Sequence, residues 1–109
     1  MTMTIRKSNL EPVYAHGPYQ TDIEMLRKPE VIKITGLSNT SLFERTKEGL
    51  FPSCVSLGGR SVGFINTEVY AVVNARAAGH TDDQIRHLVK LMTAKRKESA
   101  NDFLASLTA

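Results

Sequence analysis

The chain has 109 residues, 41% of them hydrophobic, with four Phe, three Tyr and no Trp, which fits one domain with a modest core and no large aromatic cluster. Its single cysteine, Cys54, excludes an internal disulfide, and no apolar run approaches the roughly 18 residues of a membrane span. Basic residues outnumber acidic ones by 14 to 11, and they are unevenly spread: residues 27–60 and 81–97 are each net +3, whereas residues 1–26 are net −1.

A basic middle and a basic end suit a polyanionic partner, although a solvated basic surface has the same composition. The lone cysteine points to a reducing compartment, and residues 1–22 lack the apolar run of a secretory leader. The expectation is a cytoplasmic protein with no membrane partner, nucleoid-associated if the polyanion is DNA.

Residues 1–22 contain Pro12, Gly17 and Pro18 and show no period, so 1–25 reads as an N-terminal arm. A first helix opens at Pro29, whose missing N–H has no intrahelical partner in a first turn. Glu30 lies at the positive end of its dipole, Val31, Ile32 and Ile34 supply apolar contacts, and Gly36 stops it. A second helix starts at Ser38, whose hydroxyl can cap the free N–H groups. It turns Leu42 inward and ends at Gly49, and Pro52 forbids its continuation. Two short helices joined by the Gly-containing "TGLS" form a helix-turn-helix.

Cys54–Leu57 and Ser61–Ile65 flank Gly58, Gly59 and Arg60. Val55, Leu57, Val62 and Phe64 alternate with small or polar residues, as a half-buried hairpin requires, and the glycines supply a tight turn. Cys54, at the hairpin start, is expected to be buried. A third helix runs from about Thr67 to Ala78, capped by Asn66 and closed by Gly79, with Val69, Val72, Val73 and Arg76 on one face. A fourth opens with a capping box of Thr81 and Gln84, with Asp82 and Asp83 at the dipole's positive end. Ile85, Leu88, Val89 and Met92 form its apolar stripe, and Lys95, Arg96 and Lys97 its basic end; residues 101–109 either extend this helix or fray. The expected fold is mainly α with a small β-hairpin: a winged helix-turn-helix over 26–79 and a C-terminal helical extension over 80–109.

That element order has a geometric logic. The second helix of the pair can enter a major groove about 12 Å wide. The wing then reaches the adjacent backbone or minor groove, where an arginine is attracted by strong negative potential. The recognition-helix candidates are Ser38, Asn39, Thr40, Ser41, Phe43, Glu44, Arg45 and Lys47, and the wing candidates are Gly59, Arg60 and Ser61. Each has a plainer reading. Ser38 can be only a cap; Asn39, Thr40 and Ser41 can be solvated first-turn residues. Phe43 can belong to the core, Glu44 can pair with Lys47 instead of accepting from cytosine N4, and Arg45 and Lys47 can be surface charges.

Residues Leu26 to Arg76, with "PEV", "TGLS", "EGLFP", "LGGRSVGF" and "EVYAVVNAR", resemble the AlpA family of prophage regulators and excisionases, related to the MerR-type winged helix. The resemblance implies double-stranded DNA as partner. It further implies either regulation of genes of an integrated element or a role as recombination directionality factor with a tyrosine integrase. The segment from His80 to Arg96 looks like an extension many such proteins carry. The sequence departs from the family pattern at Phe64, where tryptophan is frequent, at Val72, where a bulky helix residue is usual, and at Phe43, where Tyr or Arg is common.

Enzyme motifs are lacking. "LGGRSVG" has no Gly-Lys-Ser/Thr to grip phosphates, no G-x-S-x-G elbow is present, and His16, His80 and His87 with one Cys have no metal-ligand spacing. The expectation is a protein with no catalytic residues, metal or cofactor. A second reading is a protein-interaction module in which the stripe of Ile85, Leu88, Val89 and Met92 docks a partner. That stripe needs a cover, either the third helix or the same helix of a second chain, and the small valine surface of the third helix favours a homodimer through residues 81–100.

Overall fold

The computed structural model describes residues 23–108. The expectations for residues 1–22, including most of the arm and His16, lie outside the described residues. The order is β1 (Met25–Leu26), α1 (Lys28–Thr35), α2 (Asn39–Lys47), β2 (Val55–Gly58), β3 (Ser61–Ile65), α3 (Asn66–Ala77) and α4 (Asp82–Thr108). The fold is mainly helical with a small antiparallel sheet, consistent with a winged helix-turn-helix.

Local signals set the helix ends. Glu30 accepts the Arg27 backbone N–H at 2.8 Å, satisfying a donor ahead of α1, and Gly36 ends that helix at φ +75°. The Ser38 hydroxyl accepts from the Ser41 backbone N–H at 3.1 Å, the cap expected for α2. Beyond α2, Gly49 N–H donates to Thr46 C=O and Leu50 N–H to Arg45 C=O, the paired bonds of a Schellman ending. This turn carries the chain straight into the core, where Leu50, Phe51 and Pro52 are all buried. Thr81 and Gln84 close the α4 capping box in both directions, at 2.8 and 3.2 Å.

The sheet has three strands in the order β1-β3-β2. β1, absent from the sequence reading, pairs Met25 with Ile65 and Leu26 with Phe64. Asn66 proves to be the first helical residue of α3 rather than its cap. It is buried, its Oδ1 accepts from Glu24 N–H at 2.9 Å and its N–H donates to Glu24 C=O at 3.0 Å, so it ties the chain ahead of β1 to the start of α3.

The wing also departs from simple alternation. β2 pairs Val55 with Gly63 and Ser56 with Val62, then jumps to Gly58 with Ser61, leaving Leu57 in a bulge. Gly63 and Phe64 are the buried pair, whereas Leu57 and Val62 are 41% and 44% exposed. Space decides this: a Cβ at Gly63 would lie 3.1 Å from Met25 Cβ and 3.2 Å from Leu57 Cδ1, so β1 and Leu57 close over a residue that has no side chain. Cys54, expected inside, is exposed.

Among the described residues, one core joins every element except β2. Leu26, Val31, Leu42 and Phe64 meet Val69 and Val72 of α3 and Ile85 and Val89 of α4. Phe51 and Phe64 pack edge-to-face with centroids 6.1 Å apart. Burying each of these aliphatic or aromatic side chains stabilises the fold by about 1.5–3 kcal/mol before entropy is counted. The stripe assigned to a dimer is thus taken up within one chain: Ile85 is fully buried, Val89 is 8% exposed, and Leu88 and Met92 pack against the same cluster. The division at residues 79 and 80 does not coincide with a break in packing.

Ion pairs join α3 to α4 where the valines offer little surface. Arg96 donates from Nε and Nη2 to the two carboxylate oxygens of Glu68, at 2.8 and 2.5 Å, and from Nη2 to Ser53 C=O at 2.9 Å. The Glu68 carboxylate raises the already high pKa of Arg96, against the opposing effect of burial. Arg76 meets Asp82 at 2.8 Å across the α3–α4 turn.

Candidate nucleic-acid interface

The inner face of α2 buries Leu42 and half-buries Ser41, Arg45 and Thr46. Its outer face therefore carries Asn39, Thr40, Phe43, Glu44 and Lys47, all exposed and contiguous at 3.6 residues per turn. Phe43 is 66% exposed, which excludes it from the core. A chain of α2's length and width presenting such a face matches what a major groove admits.

The structure separates the eight recognition-helix candidates. Five share the outer face. Ser38 is committed to capping, and its hydroxyl also donates to Ser41 Oγ at 3.1 Å, so these two hydroxyls satisfy each other. Arg45 turns away: it is half-buried, lines the crevice with Leu50, Val72 and Arg76, and its field contributes to holding Asp82 ionised. Gly59, Arg60 and Ser61 are exposed at the tip of the wing, with Gly58 and Gly59 at φ +102° and +57° making the turn.

Among the described residues, four arginines are engaged inside the fold, and none of their partners is legible in the sequence. Arg27 donates from Nη1 to Val62 C=O at 3.1 Å, fixing the wing to the entry of α1. Arg86 donates from Nε to Glu48 C=O at 3.0 Å and from Nη1 to Asp83 at 3.3 Å, anchoring the C-terminal end of α2 to α4. Arg76 and Arg96 hold Asp82 and Glu68. The Arg76 hydrogen bond, its charge and the fields of Arg86 and Arg45 hold the Asp82 carboxyl below its ordinary value, with partial burial opposing. By contrast, Lys28 and Lys33 on α1, Lys47 on α2 and Arg60 on the wing have no hydrogen-bond or ion-pair partner among the described residues. His80 and His87 are exposed; His80 Nδ1 lies 3.0 Å from Ala75 C=O.

No signal in the sequence links Arg27 to Val62 or Arg86 to Glu48, because 35 and 38 residues separate the partners. Together these contacts tie α2 and the wing to the rest of the fold, while Lys47 and Arg60 have no partner among the described residues.

Comparison with known proteins agrees with this arrangement. The family described as Prophage CP4-57 regulatory protein (AlpA) matches residues 24–76, a span running from the residue ahead of β1 into the last turn of α3. An uncharacterized protein, ORF88, of Enterobacteria phage P4 is 42% identical over 62 residues, covering 57% of this chain and 70% of that protein. No solved structure matches significantly. Among the described residues, no helix is long and apolar enough to cross a membrane.

Proposed function

The chain belongs to the AlpA family of prophage regulatory proteins, and on that premise we propose that it is a non-catalytic, sequence-specific binder of double-stranded DNA that serves an integrated mobile element. The observation that carries the reading is the outer face of α2. Asn39, Thr40, Phe43, Glu44 and Lys47 are exposed together on a helix held by Ser38 at one end and Arg86 at the other. In this reading α2 lies in the major groove. Asn39 and Thr40 meet base edges or phosphates near the positive helix end, and Phe43 offers an apolar contact to a thymine methyl. Lys47, Lys28 and Lys33 supply phosphate contacts, and Arg60 enters the neighbouring minor groove or grips its backbone.

At the finer level, the protein acts as a recombination directionality factor with a tyrosine integrase, as a transcriptional regulator of that integrase, or as both. The preference for DNA over a protein partner rests on packing: the α4 stripe that a partner would need is occupied by the core. Binding of the full chain to attachment-site and promoter DNA, measured at several salt concentrations, tests the reading. Affinity should fall steeply with salt and exceed that for scrambled DNA. Weak, salt-independent association with either would defeat it. An excision assay with and without the protein, beside promoter output, then separates the two roles.

A further inference from the structure

Of the five residues on the outer face of α2, Glu44 alone is acidic. It lies one turn on from Thr40 and one turn ahead of Lys47. The Glu44–Lys47 pair that this spacing allows is not formed, and the Glu44 carboxylate has no hydrogen-bond or ion-pair partner among the described residues. Turning aside would not supply one. The crevice on that side is bounded by two more carboxylates, Glu48 and Asp82, and by Arg45, whose field already acts on Asp82.

A bare carboxylate on a face that meets DNA costs affinity. Phosphate oxygens repel it, and so do N7 and O6 of guanine, O4 of thymine and N7 of adenine. Cytosine differs: its own major-groove edge carries the N4 amino donor and no acceptor, whereas adenine sets N7 beside its N6 donor. We propose that Glu44 is a specificity-determining residue of this interface. It accepts a hydrogen bond from the N4 amino group of a cytosine in the major groove, and it penalises any sequence that places another base at that level. The inference rests on the DNA-binding reading above and adds which base α2 selects. It also separates two neighbours on the helix. Lys47 adds affinity on every sequence by meeting phosphate, whereas Glu44 subtracts affinity from most sequences and so creates the difference between them.

Selection by the full chain from a duplex library of random sequence, followed by isotherms on the selected site, tests the proposal. The parent should select cytosine at one position, and replacing that C·G pair should cost about tenfold in affinity. Glu44→Ala should select the rest of the site but accept any base there, the same replacement costing less than about twofold. Its affinity for scrambled DNA should rise about threefold, because a repulsive charge has gone. Glu44→Gln should move the preference at that position towards adenine, whose N6 and N7 an amide engages together. Lys47→Ala should instead lose affinity on selected and scrambled DNA alike. Far-ultraviolet circular dichroism should be unchanged by the Glu44 substitutions, since that side chain has no partner among the described residues to lose. If Glu44→Ala selects the same bases as the parent and binds scrambled DNA no better, Glu44 lies outside the groove; the proposal is then overturned while DNA binding stands. A parent that selects no sequence would overturn both.

Discussion

Arg96, in the middle of α4, and Arg60, at the tip of the wing, carry the same side chain in opposite surroundings. Arg96 is 22% exposed and gives its donors to Glu68, which is 8% exposed, and to Ser53 C=O. Arg60 is exposed and has no partner among the described residues. The first guanidinium is desolvated and bound to fixed geometry, so removing it leaves a buried carboxylate unmatched. The second keeps its hydration until a ligand displaces it, so its removal costs the fold little. Net charge therefore does not measure the charge available to a polyanion. In residues 81–97 Arg86 and Arg96 work within the fold, and in residues 27–60 so does Arg27, whereas Lys47 and Arg60 have no partner among the described residues.

The largest effect that would sharpen this contrast is on stability. Arg96→Ala should destabilise the fold by about 2–4 kcal/mol, because it strands Glu68 and loosens the α3–α4 contact. Urea unfolding measures the loss, and DNA affinity per folded molecule should stay unchanged. A stability change under about 0.5 kcal/mol would place Arg96 with the ordinary surface cations.

On the opposite side of the contrast, Arg60→Ala should leave stability within about 0.5 kcal/mol of the parent and weaken DNA binding by about 1–3 kcal/mol. It should also reduce the salt slope by about one if the contact is to phosphate. Asn39→Ala should be smaller in affinity, about 1 kcal/mol, and should relax preference at particular bases without changing the slope. Isotherms on specific and scrambled sites decide between them. Equal losses on both sites for Asn39→Ala would remove that residue from base readout.

The features legible in the sequence were those encoded within four residues of themselves. Ser38, the Thr81–Gln84 box and the glycines at 36, 49 and 79 announced the helices, because caps and left-handed turns are local chemistry. The outer position of Phe43 followed from the inner position of Leu42. What remained hidden was non-local. A two-residue strand such as Met25–Leu26 has no period to read. The exposure of Leu57 and Val62 follows from a bulge that only pairing with β1 and β2 reveals. Asn66 looked like a cap because its neighbours resemble a helix start, and it instead serves a backbone 42 residues away. The apolar stripe of α4 was recognised, but a pattern cannot say whether the surface beneath it belongs to the same chain.

Between Arg96 and Arg60 stands Arg76, whose pair with Asp82 is partly exposed, with side chains 33% and 58% accessible. The hydrogen bond from Arg76 is the main reason that the Asp82 carboxyl is held below its ordinary 3.8, so the folded chain binds a proton there less readily than the unfolded chain. The ionised carboxylate therefore contributes stability that is complete above the unfolded value and is lost as pH falls through the lower, folded value. Asp82→Asn removes that contribution at neutral pH. The gap in unfolding midpoint between parent and variant should stay constant from neutral pH to about pH 5, narrow below about pH 4 and close in stronger acid. Because the pair is reached by solvent, about 1 M salt should shrink the gap at neutral pH, which it would not do for the Arg96–Glu68 contact. A gap that persists unchanged into strong acid would show that Asp82 acts at the start of α4 without its charge, and would leave Arg76 nearer to Arg60 than to Arg96.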